Sequence, residues 1–84
     1  MEVTWTPKEL KQLKKLNDRK IQGRILKATA GLAGFPDVSS IKPLTRHQYD
    51  YRLRVGDYRV LFNVFEYIEV VSIEEVRKRD ERTY

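Results

Sequence analysis

Residues 49–62 read YDYRLRVGDYRVLF, with large apolar and polar residues alternating on both sides of a Gly-Asp pair. A period of two fits a strand, and Gly-Asp is among the dipeptides that close two-residue hairpins. With Gly56-Asp57 as the turn, Val55 faces Tyr58, Arg54 faces Arg59, Leu53 faces Val60, Arg52 faces Leu61 and Tyr51 faces Phe62. Tyr51, Leu53, Val55, Tyr58, Val60 and Phe62 then share a buried face, and Arg52, Arg54 and Arg59 share the other. Like charges opposed across a ladder are destabilising, whereas an opposite-charge or aromatic pair contributes roughly 0.2–1 kcal/mol. The arginines therefore cost stability without structural return. An anion resolves this, because guanidinium groups present planar donor forks to phosphate and stay charged in any site. The competing reading is that Asp50, Glu69 or Glu74 neutralises the group.

The rest of the chain supplies what covers the hairpin. MEVTW is rich in strand formers and reads as a short first strand. Thr6-Pro7-Lys8-Glu9 joins an N-cap hydroxyl, a proline at the first helical position and a glutamate three residues after the cap, so it fits a capping box. The first helix is expected to run to about Leu16, with Leu10, Leu13 and Leu16 on one stripe and Lys8, Lys11, Lys14 and Lys15 on a solvated face. Asn17 and Asp18 interrupt it and cap a second helix, in which Ile21, Ile25, Ala28 and Leu32 recur at helical spacing up to Gly34. From Phe35 to about Gln48 two prolines and a cluster of turn formers read as loop. After the hairpin strands, Tyr49 to Val55 and Tyr58 to Phe65, a third strand is expected from Tyr67 to about Val76. The order is β-α-α-β-β-β, an α+β fold with a twisted, mainly antiparallel sheet packed against a helical hairpin.

The chain's 84 residues suffice for a single domain spanning 1–84. With no cysteine and one histidine, His47, neither a disulfide framework nor a thiolate or histidine-rich metal site can be built. No cofactor or metal is expected. MEVTWTPKEL lacks an apolar run of signal-peptide length, and no later segment approaches the roughly 20 apolar residues that span a membrane. A soluble, cytoplasmic protein with no membrane partner is expected. The formal net charge of +5 favours polyanionic partners such as nucleic acid or ribosomes.

Cleavage of RNA by its own 2′-hydroxyl is one reaction a cationic face can support. It needs a base for that proton, cations for the charged pentavalent phosphorus and an acid for the leaving oxygen. A lone loop histidine cannot supply a histidine pair, and His47 reads as a surface residue. A tyrosine among arginines can have its pKa lowered, and Tyr84, following Arg77, Lys78, Arg79 and Arg82, is the candidate base.

The stretch YRLRVGDYRVLF, followed by a third strand and VRKRDERTY, resembles the RelE/ParE superfamily of bacterial toxin–antitoxin toxins, over essentially the whole chain. The RelE branch is similar in fold to a microbial ribonuclease core, and its members cut mRNA in the ribosomal A site. The resemblance implies a metal-independent, ribosome-dependent endoribonuclease that inhibits translation. Arg59 would stabilise the transition state, Arg79 would serve the leaving group and Tyr84 would be the base, at a spacing from Arg79 slightly shorter than in RelE. Arg52 and Arg54 stand where RelE has lysines and would act by charge, Arg54 also at the catalytic centre, with Arg52, Arg54, Arg77, Lys78 and Arg82 binding RNA. Implied partners are a cognate RelB-like antitoxin, mRNA and 16S rRNA, with operator DNA reached only through the antitoxin. The ParE branch implies a competing function on the same fold, poisoning of gyrase without nuclease residues. An attenuated member that survives mainly as an antitoxin-binding module is a third reading.

Overall fold

Thr6 and Asp18 start the two helices. The Thr6 hydroxyl accepts the Glu9 N–H at 3.2 Å, Pro7 opens the first turn, and helix α1 runs Pro7–Lys14. The Asp18 carboxylate accepts from the N–H groups of Lys20 and Ile21, at 2.9 and 3.3 Å, and starts helix α2, Arg19–Ala30. A 3₁₀ turn over Gly31–Gly34 follows α2. The structure, a computed structural model, describes residues 1–78.

Five strands form the sheet: β1 (Glu2–Trp5), β2 (Ile41–Pro43), β3 (Tyr51–Val55), β4 (Tyr58–Phe65) and β5 (Val70–Lys78). Their order is β1-β5-β4-β3-β2, with β1 parallel to β5 and the other pairs antiparallel. The α+β architecture expected from the sequence is therefore present, with one strand more. The segment read as loop pairs Ile41 with Leu53, Lys42 with Arg52 and Pro43 with Tyr51. Three residues ending in proline carry no visible alternation, and proline is tolerated there because β2 is an edge strand. Several boundaries also move: α2 gives way to the 3₁₀ turn after Ala30, β3 starts at Tyr51 rather than Tyr49, and β5 runs on to Lys78 rather than about Val76. The first helix ends at Lys14 rather than Leu16, and β5 starts at Val70 rather than Tyr67. Glu66–Ile68 instead form a 3₁₀ turn closed by Glu69 at φ +54°, which leaves Tyr67 fully exposed.

The hairpin register is the one expected, from Val55 opposite Tyr58 to Tyr51 opposite Phe62. Gly56 has φ +55° and Asp57 does not enter the left-handed region, which fits a type II′ turn with glycine first. Leu53, Val55, Val60 and Phe62 are buried and form the core with Val71 and Ile73 of β5, Leu13 of α1, Ile25 of α2 and Leu32. Phe35 packs edge-on against Tyr51 at 5.0 Å between centroids, and Tyr51 stacks on Phe62 at 5.5 Å, which ties the segment after α2 to the hairpin. The two helices lie on this face, α1 against β5 and α2 against β3. No helix among the described residues is long and apolar enough to cross a membrane.

Glu9 departs from the capping box. Its backbone is capped by Thr6, but its side chain does not return to the cap. It is 4% exposed and accepts the Val76 N–H at 3.0 Å. The reason lies in the sheet: β1 ends opposite Ile73, so β5 has no strand neighbour beyond that point on this side. The carboxylate satisfies a donor that would otherwise be stranded under α1.

Burial is the largest influence on Glu9 and raises its pKa above 4.5; the Val76 hydrogen bond works the other way, and the charge of Glu75 adds to the rise. A carboxyl group with a raised folded-state pKa favours folding while protonated, so its contribution is present below the unfolded value and is lost as pH rises through the folded one. Glu9→Gln keeps an acceptor for Val76 and removes the charge. Thermal unfolding from pH 4 to 8 is expected to show the variant gaining on the wild type as pH rises above about 4.5. Glu9→Leu, which strands the Val76 N–H, should cost about 1–3 kcal/mol at every pH in that range.

Candidate nucleic-acid interface

Alternation on β3 and β4 sends Arg52, Arg54 and Arg59 to the face away from the helices. On β5 the same outcome depends on a bulge. The register reads Phe62 opposite Ile73 but Leu61 opposite Glu75, so Glu74 is an extra residue. Continued without it, the register would place Val76 opposite Arg59 and turn Glu75 and Arg77 toward the core. With it, Val76 packs against the core and Arg77 stands opposite Arg59.

Two rows result. Arg54, Arg59 and Arg77 lie side by side across β3, β4 and β5. Next to them lie Lys42, Arg52, Leu61 and Glu75 across four strands. Leu61 is buried on this outer face, outside the main core cluster. Arg52 beside it is half-buried, and its Nε is buried without a hydrogen-bond partner. An enclosed guanidinium donor with no acceptor is costly, which makes it a pointer to an anionic ligand.

The acids named as neutralisers are engaged elsewhere. The Asp50 carboxylate accepts the Val64 N–H at 3.1 Å, at the end of the hairpin remote from its turn. Glu74 accepts from the Ser72 hydroxyl, and Glu69 sits in the turn before β5. Among the described residues Glu75 meets the arginine row, accepting from Arg77 Nε at 2.6 Å. Both side chains are partly exposed, so the pair contributes at most about 1 kcal/mol. Glu75 also accepts the phenol proton of Tyr49. Burial first, and then the charge and hydrogen bond of Glu75, push the Tyr49 pKa above 10. His47 is exposed, and its Nδ1 accepts the Tyr49 N–H at 3.1 Å.

Of the residues singled out in the sequence, Arg52, Arg54, Arg59 and Arg77 come together on one face. Lys78, opposite Tyr58, belongs to the other face by register and is exposed at the end of the sheet. Arg79, Arg82 and Tyr84 lie outside the described residues. Sequence reasoning missed Lys42, Tyr49 and Glu75. Lys42 had no signal because its strand was not visible. Glu75 had a weak one, since apolar residues alternate through Val71 and Ile73 and then resume one residue late at Val76. Among the described residues, no group of three or more histidines, cysteines or carboxylates could hold a metal ion.

Comparison with known proteins agrees with this architecture. The family model for the ParE toxin of the type II toxin–antitoxin system parDE matches residues 3–83. No curated protein sequence matches the chain. Among solved structures, the archaeal RelE–RelB complex from Pyrococcus horikoshii OT3 contains a chain with a TM-score of 0.79 and 26% identity, covering 95% of this chain and 96% of that one. The toxin–antitoxin complex RelBE2 from Mycobacterium tuberculosis gives 0.76 and 25%, over 93% and 96%. The isolated E. coli RelE toxin, 18% identical with a TM-score of 0.78 over 95% and 85%, shares the fold. The order of strands and helices, the hairpin and the family match converge on one assignment: the chain belongs to the RelE/ParE family and is a toxin of a type II toxin–antitoxin system.

Proposed function

We propose that this toxin is a ribosome-dependent endoribonuclease that cuts mRNA in the ribosomal A site. The observation that carries this reading is the three-strand row Arg54, Arg59 and Arg77 beside the unpartnered, buried Nε of Arg52. In the reaction the 2′-hydroxyl loses its proton and attacks the adjacent phosphorus, charge accumulates on the phosphoryl oxygens, and the 5′-oxygen leaves with a proton. Arg59 and Arg54, at neighbouring positions on the face, stabilise that charge. Arg79 assists the leaving oxygen and Tyr84 takes the 2′-proton. Tyr49 is a poorer candidate for the base, since burial first and then Glu75 raise its pKa. Arg52, Arg77 and Arg82 bind the flanking phosphates. The ribosome supplies substrate positioning, which by proximity alone accounts for roughly 7–11 kcal/mol of a barrier.

A RelB-like antitoxin is the proposed regulator, since two of the structurally similar toxins were solved with antitoxins bound. An acidic segment that orders on binding suits the arginine rows by charge and would cover them. The family-model match favours a second reading, a ParE-like toxin directed at gyrase. On that reading the same arginines contact a protein partner.

Primer extension on mRNA carried by programmed ribosomes separates the two. The expected result is a new 5′ end within the A-site codon, with little cutting of naked RNA. Intact message together with gyrase-dependent DNA breaks would establish the second reading. Within the nuclease, Arg59→Ala is expected to lower single-turnover cleavage by about 10²–10³-fold. Its thermal midpoint should change little, because Arg59 lies on the outer face and outside the core cluster. Tyr84→Phe removes only a hydroxyl and should reduce the same rate by about 10²–10⁴-fold. An unchanged rate would transfer the base role to another group.

A further inference from the structure

Helix α2 carries Arg19, Lys20, Arg24 and Lys27 and no acidic residue. Lys20, Arg24 and Lys27 follow one another at spacings of four and three, so they share a stripe on which each neighbour repels the next. Ile25 and Thr29, on the other side, are buried. As with the arginine row, a run of like charges is kept where it lends the helix no stability.

The stripe faces the hairpin turn. A Cβ built on Gly56 would lie 3.3 Å from Arg24 Nη2 and 3.5 Å from Nη1, so the guanidinium rests over the turn and the absent side chain makes room for it. β2 begins only at Ile41, opposite Leu53, which leaves the edge of β3 beyond Leu53 without a strand partner. Ser40 O accepts the Arg54 N–H there at 3.0 Å. Between this edge and α2 is an open groove of about 680 Å³, lined by Arg24, Lys27 and Arg54 over a floor of small residues that includes Ala28, Gly31 and Gly56. No carboxylate lines it. At Gly31 an added Cβ would meet nothing within 4 Å, so the floor is open to a ligand.

Resting on the nuclease reading above, we infer that this groove is a second phosphate site, which holds the backbone of structured RNA next to the strand being cut. Arg54 borders the groove at the strand edge and belongs to the row with Arg59 and Arg77, so the groove lies next to the outer face. Two cations of α2, Arg24 and Lys27, above small residues fit a phosphodiester backbone, to which guanidinium binds through paired donors. The lining has no large apolar side chain to make a pocket for a peptide anchor. Arg24 and Lys27 stand on the helix side of the sheet, away from the reacting row, so they strengthen binding and leave the chemical step alone.

The test compares the full-length wild type with Arg24→Ala/Lys27→Ala and with the charge-conserving pair Arg24→Lys/Lys27→Arg. All four side-chain changes fall on exposed positions. The first readout is the anisotropy of a fluorescent, uncleavable 2′-O-methyl RNA hairpin across a salt series. The alanine pair is expected to bind at least tenfold more weakly at low salt, with the slope of log K against log[salt] reduced by about 1–2, and the charge-conserving pair to keep the slope. The second readout is cleavage of ribosome-bound message, where the alanine pair should raise the concentration of toxin needed and keep the maximal single-turnover rate. Wild-type affinity and slope for the alanine pair would overturn the site. So would unchanged RNA binding combined with a loss confined to an acidic antitoxin peptide. If no protein cuts ribosome-bound message while hairpin binding still depends on Arg24 and Lys27, the nuclease reading fails and the phosphate site stands.

Discussion

The register of β4 against β5 is the constraint on which the rest of this molecule depends. One extra residue, Glu74, reverses the sense of alternation partway along β5. Before it, Val71 and Ile73 face the helices; after it, Val76 does, and Glu75 and Arg77 turn outward. Because side chains alternate with a period of two, a slip of one residue exchanges an entire face. Without the bulge, Arg77 would be driven toward α1 and Val76 exposed. The bulge therefore completes the core and assembles the third arginine of the row in one step, and bulges commonly serve to re-aim side chains in this way.

Glu9 belongs to the same problem. A parallel strand as short as β1 covers only part of β5, and the uncovered part must satisfy its donors some other way. A carboxylate on α1 reaches Val76 and does so, at the cost of burying a charge near Glu74 and Glu75. That arrangement fixes α1 on the sheet at the point where β5 leaves the company of β1. The helix is thus held by one polar contact of defined geometry in addition to Leu13 packing, and the register at Val76 is pinned from both sides, by Val60 on β4 and by Glu9.

Those parts of the structure that follow from local rules were legible in the sequence. Gly56-Asp57 set the β3–β4 pairing residue by residue, Thr6-Pro7 and Asp18 set where the helices start, and the helical spacing of Ile21, Ile25, Ala28 and Leu32 identified the packed side of α2. Features that arise from partners distant in the chain were not legible. β2 is strand because Leu53, Arg52 and Tyr51 lie alongside it, and three residues cannot show a period. The path of the Glu9 side chain depends on an N–H from a residue 67 positions later. Three arginines on one face could be read from alternation, but the fourth position, Arg77, and its partner Glu75 required the bulge. The groove at α2 required knowing which side of the sheet that helix covers.

The division of the sheet into two faces explains how one scaffold serves toxins with different targets. The side chains that specify this fold, from Leu53 and Phe62 to Ile73 and Ile25, point toward the helices, and the arginine rows point away. A change in the outer set leaves core packing untouched, and a ParE family model and RelE structures both match this chain. What distinguishes targets must then reside in residues that the fold does not require. Here those residues include the arginine row on the sheet, which meets Glu75 through Arg77, and the cationic stripe on α2. On the same outer face the Arg52 Nε is buried without a hydrogen-bond partner, and a buried donor left unpaired is costly, so that face too carries a feature the fold does not need.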